Sequence, residues 1–130
     1  MKINSPSFQA FTRANYKSTK RTSYFEVYDS VFSPYVGQKV TVLEVGVLNG
    51  GGLFMLRDLL GPRARIIGVD LNPSCKVFEN HGFEIEILNQ SDSDGWEKLF
   101  QRIGPVDIIL EDGGHTNRQQ ISTLVCCVYN

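Results

Sequence analysis

Acidic residues stand at the ends of several apolar, strand-like runs in this chain. Glu44 lies near the end of one run, Asp70 ends a second, and Glu111 and Asp112 end a third. In a parallel sheet the carboxyl ends of the strands meet at one edge, and ligands bind outside that edge. We therefore expect these four acids to surround one ligand, to which they would offer hydrogen-bond acceptors and negative charge.

A glycine turn with Gly46, Gly50 and Gly51 follows the first run and leads into helical apolar spacing. Strand, glycine turn and helix begin a nucleotide-binding βαβ unit, where bare backbone and a helix N-terminus can approach a polar ligand. A dinucleotide fingerprint would place its second glycine at Leu48. Leu48 therefore disfavours NAD, and so does Glu44, whose charge would face the phosphates. An acid there suits a ligand with an ammonium or sulfonium group.

Asp70 follows the glycine turn by roughly 20 to 25 residues, the spacing at which nucleotide-binding folds place an acid for the ribose hydroxyls. The same carboxylate could instead cap the loop that begins at Asn72. Both interpretations remain open at the level of sequence.

Hydrophobic periodicity predicts that strands and helices alternate along the chain. An α/β fold follows: a partial Rossmann-like, doubly wound parallel sheet of about four strands in the order 3-2-1-4, with flanking helices. The predicted strands run from residue 40 to the glycine turn and over 65–70, 83–88 and 106–112. The predicted helices cover 22–32, 52–60, about 72–81, 96–103 and about 118–128.

The predicted domain organisation is a loose, flexible N-terminal arm over residues 1–21 and one folded unit over 22–130. A complete doubly wound domain normally has two or three further strands. We therefore expect 22–130 to be the N-terminal half of such a domain, with the chain truncated after its fourth strand. The uncovered outer edge of that strand, residues 106–111, would be an apolar template for association, so a homodimer is predicted there.

Composition and charge argue against several classes of protein. The net charge of -1 provides no electrostatic attraction to nucleic acid or to an anionic membrane. No apolar run approaches the roughly 20 residues of a membrane span, and the N-terminus lacks the apolar centre of a signal peptide. Cys75, Cys126 and Cys127 are odd in number and match no zinc spacing. We expect free thiols and a cytoplasmic location.

Four blocks in order carry a family resemblance. They are Leu43–Gly51, Gly68–Pro73, Asn89–Asp92 and Asp107–Thr116. Together they resemble class I S-adenosylmethionine-dependent methyltransferases, in the branch that contains macrolide sugar O-methyltransferases and cephalosporin hydroxylase-like proteins. The resemblance extends over about residues 22–121, nearly all of the chain that we expect to be ordered.

The resemblance implies a binding site for S-adenosylmethionine. Glu44, Gly46 and Gly50 would line its methionine part, and Asp70 would hold the ribose hydroxyls. Glu111 would lie near the ammonium group. The full set of cofactor-binding residues that it implies is Glu44, Gly46, Asn49, Gly50, Gly51, Asp70, Leu71, Gln90, Ser91, Asp92 and Glu111, of which Gln90, Ser91 and Asp92 would flank the adenine.

The resemblance also implies a reaction centre at Asp112 and His115. Asp112 would help to bind a divalent metal, and Mg²⁺ prefers such oxygen ligands. His115 would take a proton from the acceptor hydroxyl, which suits an imidazole because it titrates near neutrality. The alternative is that His115 caps the last helix.

Taken together, these features predict S-adenosylmethionine-dependent methyl transfer to a hydroxyl group of a small molecule or sugar. The predicted partner is a small-molecule methyl acceptor, without nucleic acid or membrane. Two alternatives remain: a catalytically silent module that retains cofactor binding, and, disfavoured by Leu48 and Glu44, an NAD-binding Rossmann half.

Overall fold

The computed structural model describes residues 5–13 and 24–111. Its helices and strands alternate as the sequence predicts, and no helix in this part of the chain combines the length and apolarity needed to cross a membrane. The elements are α1 (Pro6–Arg13), α2 (Tyr24–Phe32), a short 3₁₀ turn (Ser33–Tyr35), β1 (Thr41–Val45), α3 (Gly51–Leu60), β2 (Arg65–Asp70), a 3₁₀ helix (Pro73–His81), β3 (Glu84–Ile87), α4 (Ser93–Ile103) and β4 (Ile108–Glu111).

The four strands form one parallel sheet in the order β3-β2-β1-β4, which confirms the predicted 3-2-1-4 order. In this register Glu44 pairs with Gly68 on one side and with Leu110 on the other. Strand β1 is therefore central, and its residues from Val42 to Val45 are all buried. A central strand covered on both faces reads as a continuous apolar run, which explains the pattern that begins at Val40.

Helices cover the sheet on both faces. Val42 and Ile66 face a cluster that contains residues of α1, α2, α3 and the 3₁₀ helix. Their neighbours Leu43 and Ile67 face the opposite cluster, which is built around α4. Successive side chains of a strand point to opposite faces, so one short strand joins the two halves of the core.

Residues 6–13 form helix α1, whereas the sequence predicts an irregular arm over 1–21. Phe8 N donates to Ser5 Oγ (3.2 Å), which caps the helix, and Ser7 N donates to Asp29 Oδ1 (2.8 Å). The Phe8 and Phe25 rings meet edge to face with centroids 5.3 Å apart. A helix of eight residues is unstable by itself, so contacts with α2 stabilise it, and these cannot be read from local sequence. The domain boundary at residue 21 stays a prediction.

The segment Pro73–His81 has the predicted ends but a tighter helical type. Ser74 N donates to Asn72 Oδ1 (3.0 Å), and Gly82 ends the helix with φ 87°. Its turns close between residues three apart, as in the bond from Cys75 N to Asn72 O (3.1 Å). A 3₁₀ helix rises about 2.0 Å per residue rather than 1.5 Å. The segment therefore extends farther along the sheet than an α-helix of equal length.

Helix α4 begins at Ser93 rather than at Trp96, because Asp92 caps it: Gly95 N donates to Asp92 Oδ1 (3.0 Å). Strand β4 is described as far as Glu111. The predicted last helix, 118–128, lies outside the described residues, and so do Asp112, His115, Cys126 and Cys127.

Candidate functional site

The carboxyl ends of the strands bring three of the predicted acids to one edge. Val45, at the end of β1, pairs with Val69 on one side and with Glu111 on the other. Asp70 is the next residue on β2. Neighbouring strands lie about 4.8 Å apart, so the backbones of Asp70 and Glu111 are roughly 10 Å from each other at the same edge. This distance suits contact with different parts of one small molecule.

Glu44 is buried against the first turn of α3. Its exposed fraction is 1%, and a Cβ added to Gly52 would lie 2.5 Å from Glu44 Oε1. Gly52 therefore leaves the space that the carboxylate occupies, a role not predicted from sequence. A helix N-terminus carries partial positive charge, which favours a carboxylate at this position.

The glycine turn has left-handed backbone at three positions. Gly46 and Gly50 have φ values of 93° and 80°, and Leu48, which is not a glycine, has φ 51°. The left-handed region costs an ordinary residue about 1–2 kcal/mol. The backbone at Leu48 therefore has a conformation that glycine adopts more readily. The Leu48 side chain is 58% exposed. Such strain is typical of functional loops.

Asp70 joins the turn to its own loop. Val47 N and Leu48 N donate to Asp70 Oδ2 (2.9 and 3.0 Å), and Asn72 N donates to Asp70 Oδ1 (2.9 Å). The last contact is the one that the capping interpretation requires. A carboxylate offers about four acceptor directions, and three are used here. In this arrangement Asp70 can accept a hydrogen bond from at most one ribose hydroxyl, and that role stays a prediction.

The thiol of Cys75 lies behind the turn. Its Sγ donates to Leu48 O (3.7 Å). Burial of the thiol, together with the nearby charge of Asp70, raises the pKa of Cys75 to about 11. Because the thiolate is the nucleophilic form, Cys75 is an inert packing residue at physiological pH.

Phe78, on the 3₁₀ helix, closes the other side of the turn. A Cβ added to Gly50 would lie 2.5 Å from Phe78 Cε1. Gly50 is therefore required for space as well as for its positive φ. Phe78 also meets Phe54 of α3 edge to face, with ring centroids 6.3 Å apart. The aromatic contacts hold the turn, α3 and the 3₁₀ helix together.

Gln90 connects the end of β3 with the end of β4. Its side chain is buried, and its Nε2 lies 3.4 Å from Glu111 Oε1. Trp96, a fully buried residue of α4, donates from Nε1 to Gln90 O (2.9 Å). Trp96 therefore positions the backbone at Gln90, although its sequence pattern indicated only a core residue.

All of the cofactor residues predicted from sequence lie at this edge, either on the last residues of β1, β2 and β4, on the first residue of α3, or in the loops that follow β1, β2 and β3. Leu71 is 61% exposed beside Asp70. Asp112 and His115 lie outside the described residues. In the part of the chain that is described, no group of three or more His, Cys, Asp or Glu side chains could hold a metal ion.

A cavity of about 350 Å³ lies elsewhere, among α1, the end of α2 and the last turn of α3. Its wall contains the ion pair between Arg13 Nε and Asp58 Oδ2 (2.7 Å). None of the predicted site residues lines it. The chemistry of the strand edge is therefore separate from this cavity.

No family model matches the sequence, but curated proteins do. The chain is 34% identical over 96 residues to mycinamicin VI 2''-O-methyltransferase of Micromonospora griseorubida, a match that covers 69% of this chain and 24% of that protein. It is 29% identical over 109 residues to ribosomal RNA large subunit methyltransferase E of Myxococcus xanthus, covering 82% of this chain and 51% of that one. The chain thus spans about a quarter to a half of the length of these relatives.

A solved structure is similar to this chain in both fold and sequence. It is the MycE methyltransferase from the mycinamycin biosynthetic pathway in complex with Mg, SAH and mycinamycin VI. The TM-score is 0.78 and the identity 28%, and the match covers 95% of this chain and 33% of that chain. The parallel sheet with strand order 3-2-1-4 is that of a Rossmann-like methyltransferase fold.

Proposed function

We propose that this chain, whose homologues are S-adenosylmethionine-dependent O-methyltransferases, is the cofactor-binding part of an enzyme that methylates a hydroxyl group of a small molecule or sugar. The observation that carries the proposal is the convergence of the glycine turn, Asp70 and Gln90 at one strand edge. Fold alone would not establish an activity. Here the arrangement of charged and apolar groups at the strand edge also supports the proposal.

The carboxylates of the proposed site are anionic hydrogen-bond acceptors, which suit separate parts of S-adenosylmethionine. Glu44 and Glu111 provide negative charge toward its ammonium and sulfonium groups, and Asp70 accepts a hydrogen bond from the ribose. For the adenine, Leu71 would provide an exposed apolar side chain and Gln90 a largely buried polar one. The turn residues Gly46, Asn49, Gly50 and Gly51 and the loop residues Ser91 and Asp92 complete the proposed site. When bound, the cofactor supplies a methyl group activated by its sulfonium.

Asp112 and His115 are the proposed catalytic residues. Asp112 directly follows Glu111, the last described residue of β4, which supports a position near the proposed cofactor site. A hydroxyl is a poor nucleophile until its proton is removed, and His115 would act as that general base. Asp112 would contribute an oxygen ligand for Mg²⁺. MycE, which was solved with Mg and SAH, supports both the cofactor and the metal.

Calorimetric titration with SAH tests the cofactor site. The wild-type chain should bind SAH and not NAD. Asp70→Ala should weaken the binding of SAH by at least about tenfold, because hydrogen bonds to a charged acceptor contribute about 1.5–3 kcal/mol. The matched control is Asp107→Ala, which removes a carboxylate that accepts from Thr41 N (2.8 Å) at the opposite edge of the sheet. Absence of SAH binding, or equal loss in both variants, would contradict the proposal.

A second test separates an enzyme from a silent cofactor-binding module. Methyl transfer from S-adenosylmethionine to a sugar hydroxyl should be abolished by His115→Ala, while SAH affinity should stay unchanged. If the wild-type chain binds SAH but transfers no methyl group to any tested acceptor, the binding proposal stands and the enzymatic one fails.

The acceptor class requires its own experiment, because one relative is a ribosomal RNA methyltransferase. We favour a small molecule, since a net charge of -1 gives little attraction to a polyanion. Tight, salt-dependent binding of ribosomal RNA in a filter-binding assay would overturn this choice.

We also propose a homodimer, and separately a cytoplasmic location. In the described residues, β4 pairs with β1, and Ile109 is 36% exposed. Sedimentation equilibrium at several concentrations measures the association that we expect through the outer edge of β4. The cytoplasmic location is inferred from three cysteines that we expect to be free thiols, and cell fractionation tests it.

A further inference from the structure

We infer that Asp70 makes the turn selective against phosphate-bearing nucleotides, because its carboxylate occupies the amide groups with which such a turn would bind phosphate. The site would therefore accept a nucleoside whose 5′ substituent is uncharged or cationic and would reject the corresponding nucleotides. This inference rests on the proposed function, in which the turn binds an adenosyl ligand.

A strand-turn-helix unit binds phosphate with two structural features. One is a set of backbone N–H groups in the turn, and the other is the positive end of the following helix. In this chain, Val47 N and Leu48 N both donate to Asp70 Oδ2 (2.9 and 3.0 Å). A phosphate oxygen could take these two groups only by displacing a carboxylate.

The neighbouring amides are also engaged within the protein. Gly46 N donates to Val69 O (2.8 Å), and Gly50 N donates to Val47 O (2.9 Å). Four of the five N–H groups from residue 46 to residue 50 therefore have partners inside the fold. The turn has the glycine-rich shape of a phosphate-binding loop, but most of its N–H groups already donate within the protein.

A second carboxylate occupies the helix end. Glu44 is 1% exposed and lies so close to Gly52, in the first turn of α3, that a Cβ there would be 2.5 Å from its Oε1. Negative charge at this position offsets the partial positive charge with which the helix N-terminus would attract phosphate. Each of the two phosphate-binding features therefore has a carboxylate of the protein beside it.

Two adenosine ligands separate this role of Asp70 from ribose binding. SAH and ADP share the adenosine part, and only ADP carries phosphates. If Asp70 only held the ribose, Asp70→Asn would weaken both ligands equally and leave the ratio of their dissociation constants unchanged. In Asp70→Asn we expect the dissociation constant of ADP, divided by that of SAH, to fall at least about tenfold. ADP should gain affinity relative to SAH because the variant removes one negative charge close to the phosphates. Asp107→Asn, at the other edge, should leave the ratio as in the wild type.

Inorganic pyrophosphate provides a measurement that does not depend on ribose. At millimolar concentration it should not raise the melting temperature of the wild-type protein or of Asp107→Ala, and it should raise that of Asp70→Ala, in which Val47 N and Leu48 N lose their side-chain acceptor. An unchanged ratio of ADP to SAH, or saturable binding of pyrophosphate to the wild type, would overturn the inference. If the Asp70 variants do not fold, the absence or presence of pyrophosphate binding to the wild-type protein decides the question. Failure of the wild type to bind SAH is a different outcome, which removes the proposed function.

Discussion

At the amino edge of the sheet Glu84 pairs with an arginine, whereas at the carboxyl edge Asp70 and Glu111 face neutral amides. Arg65 Nε lies 2.6 Å from Glu84 Oε2, where β2 and β3 begin. This contact lowers the pKa of Glu84 and raises that of Arg65. At the other edge, Asp70 accepts from three backbone N–H groups, and Gln90 Nε2 lies beside Glu111.

The difference separates an edge with a neutralising ion pair from the edge that carries the proposed ligand site. The positive charge of Arg65 offsets the negative charge of Glu84, so this pair adds little net charge to the amino edge. Neutral amides orient a carboxylate but leave its negative charge in place. The carboxyl edge therefore keeps charge available for a cationic ligand. The following three changes test this comparison, from the largest expected effect to the smallest.

Removing Trp96 should have the largest effect on stability. Trp96→Ala deletes a fully buried ring and should lower the free energy of unfolding by about 3–5 kcal/mol, measured by urea denaturation. Trp96→Phe keeps most of the packing but leaves Gln90 O without its indole donor. This variant should lose about 1–3 kcal/mol and bind SAH more weakly. An unchanged affinity for SAH in Trp96→Phe would show that Trp96 does not position Gln90.

Gly52→Ala tests the space occupied by Glu44 at the carboxyl edge. The new Cβ would collide with the carboxylate, so we expect a loss of about 1–3 kcal/mol in the free energy of unfolding. The double variant Glu44→Ala/Gly52→Ala should be more stable than the sum of the single effects predicts, because the colliding group is absent. Simple additivity in urea denaturation would contradict this contact.

Glu84→Gln tests the amino edge and should have the smallest effect. The Arg65–Glu84 pair is about half exposed, so its contribution is at most about 1 kcal/mol. Because the pKa of Glu84 is lowered in the folded state, this stability is present above the unfolded value of about 4.3 and is lost as pH falls through the folded value. The wild type and Glu84→Gln should differ in urea midpoint at pH near 7 and converge in strong acid. SAH affinity should be equal in both.

Much of the fold could be predicted because its signals are local. Continuous apolar runs such as the one that ends at Asp70 indicate buried parallel strands, and glycines such as Gly61 and Gly82 end helices. Helix α1 was not predicted, because contacts of Ser7 with Asp29 and Phe25 stabilise it and join segments about 20 residues apart.

The residues of the candidate site could largely be predicted from the sequence, whereas the contacts between them could not. The acids and glycines follow from residue type and from the rule that parallel strands end at one edge. The left-handed backbone of Leu48 and the space that Gly52 leaves for Glu44 depend on how neighbouring segments pack. The contacts of Asp70 with amides of both the glycine turn and its own loop were likewise not predicted, because the sequence does not show which backbone N–H groups lie near this carboxylate.

The amino-acid sequence by itself determined the alternation of strands and helices, the parallel sheet and the set of polar groups at its carboxyl edge. Hydrophobic period and turn residues act over a few positions, and they are visible without coordinates. Only the tertiary structure decided which donors each carboxylate takes. Hydrogen bonds such as those from Val47 N and Leu48 N to Asp70 join the turn after β1 to the end of β2, and their geometry exists only once the sheet has formed.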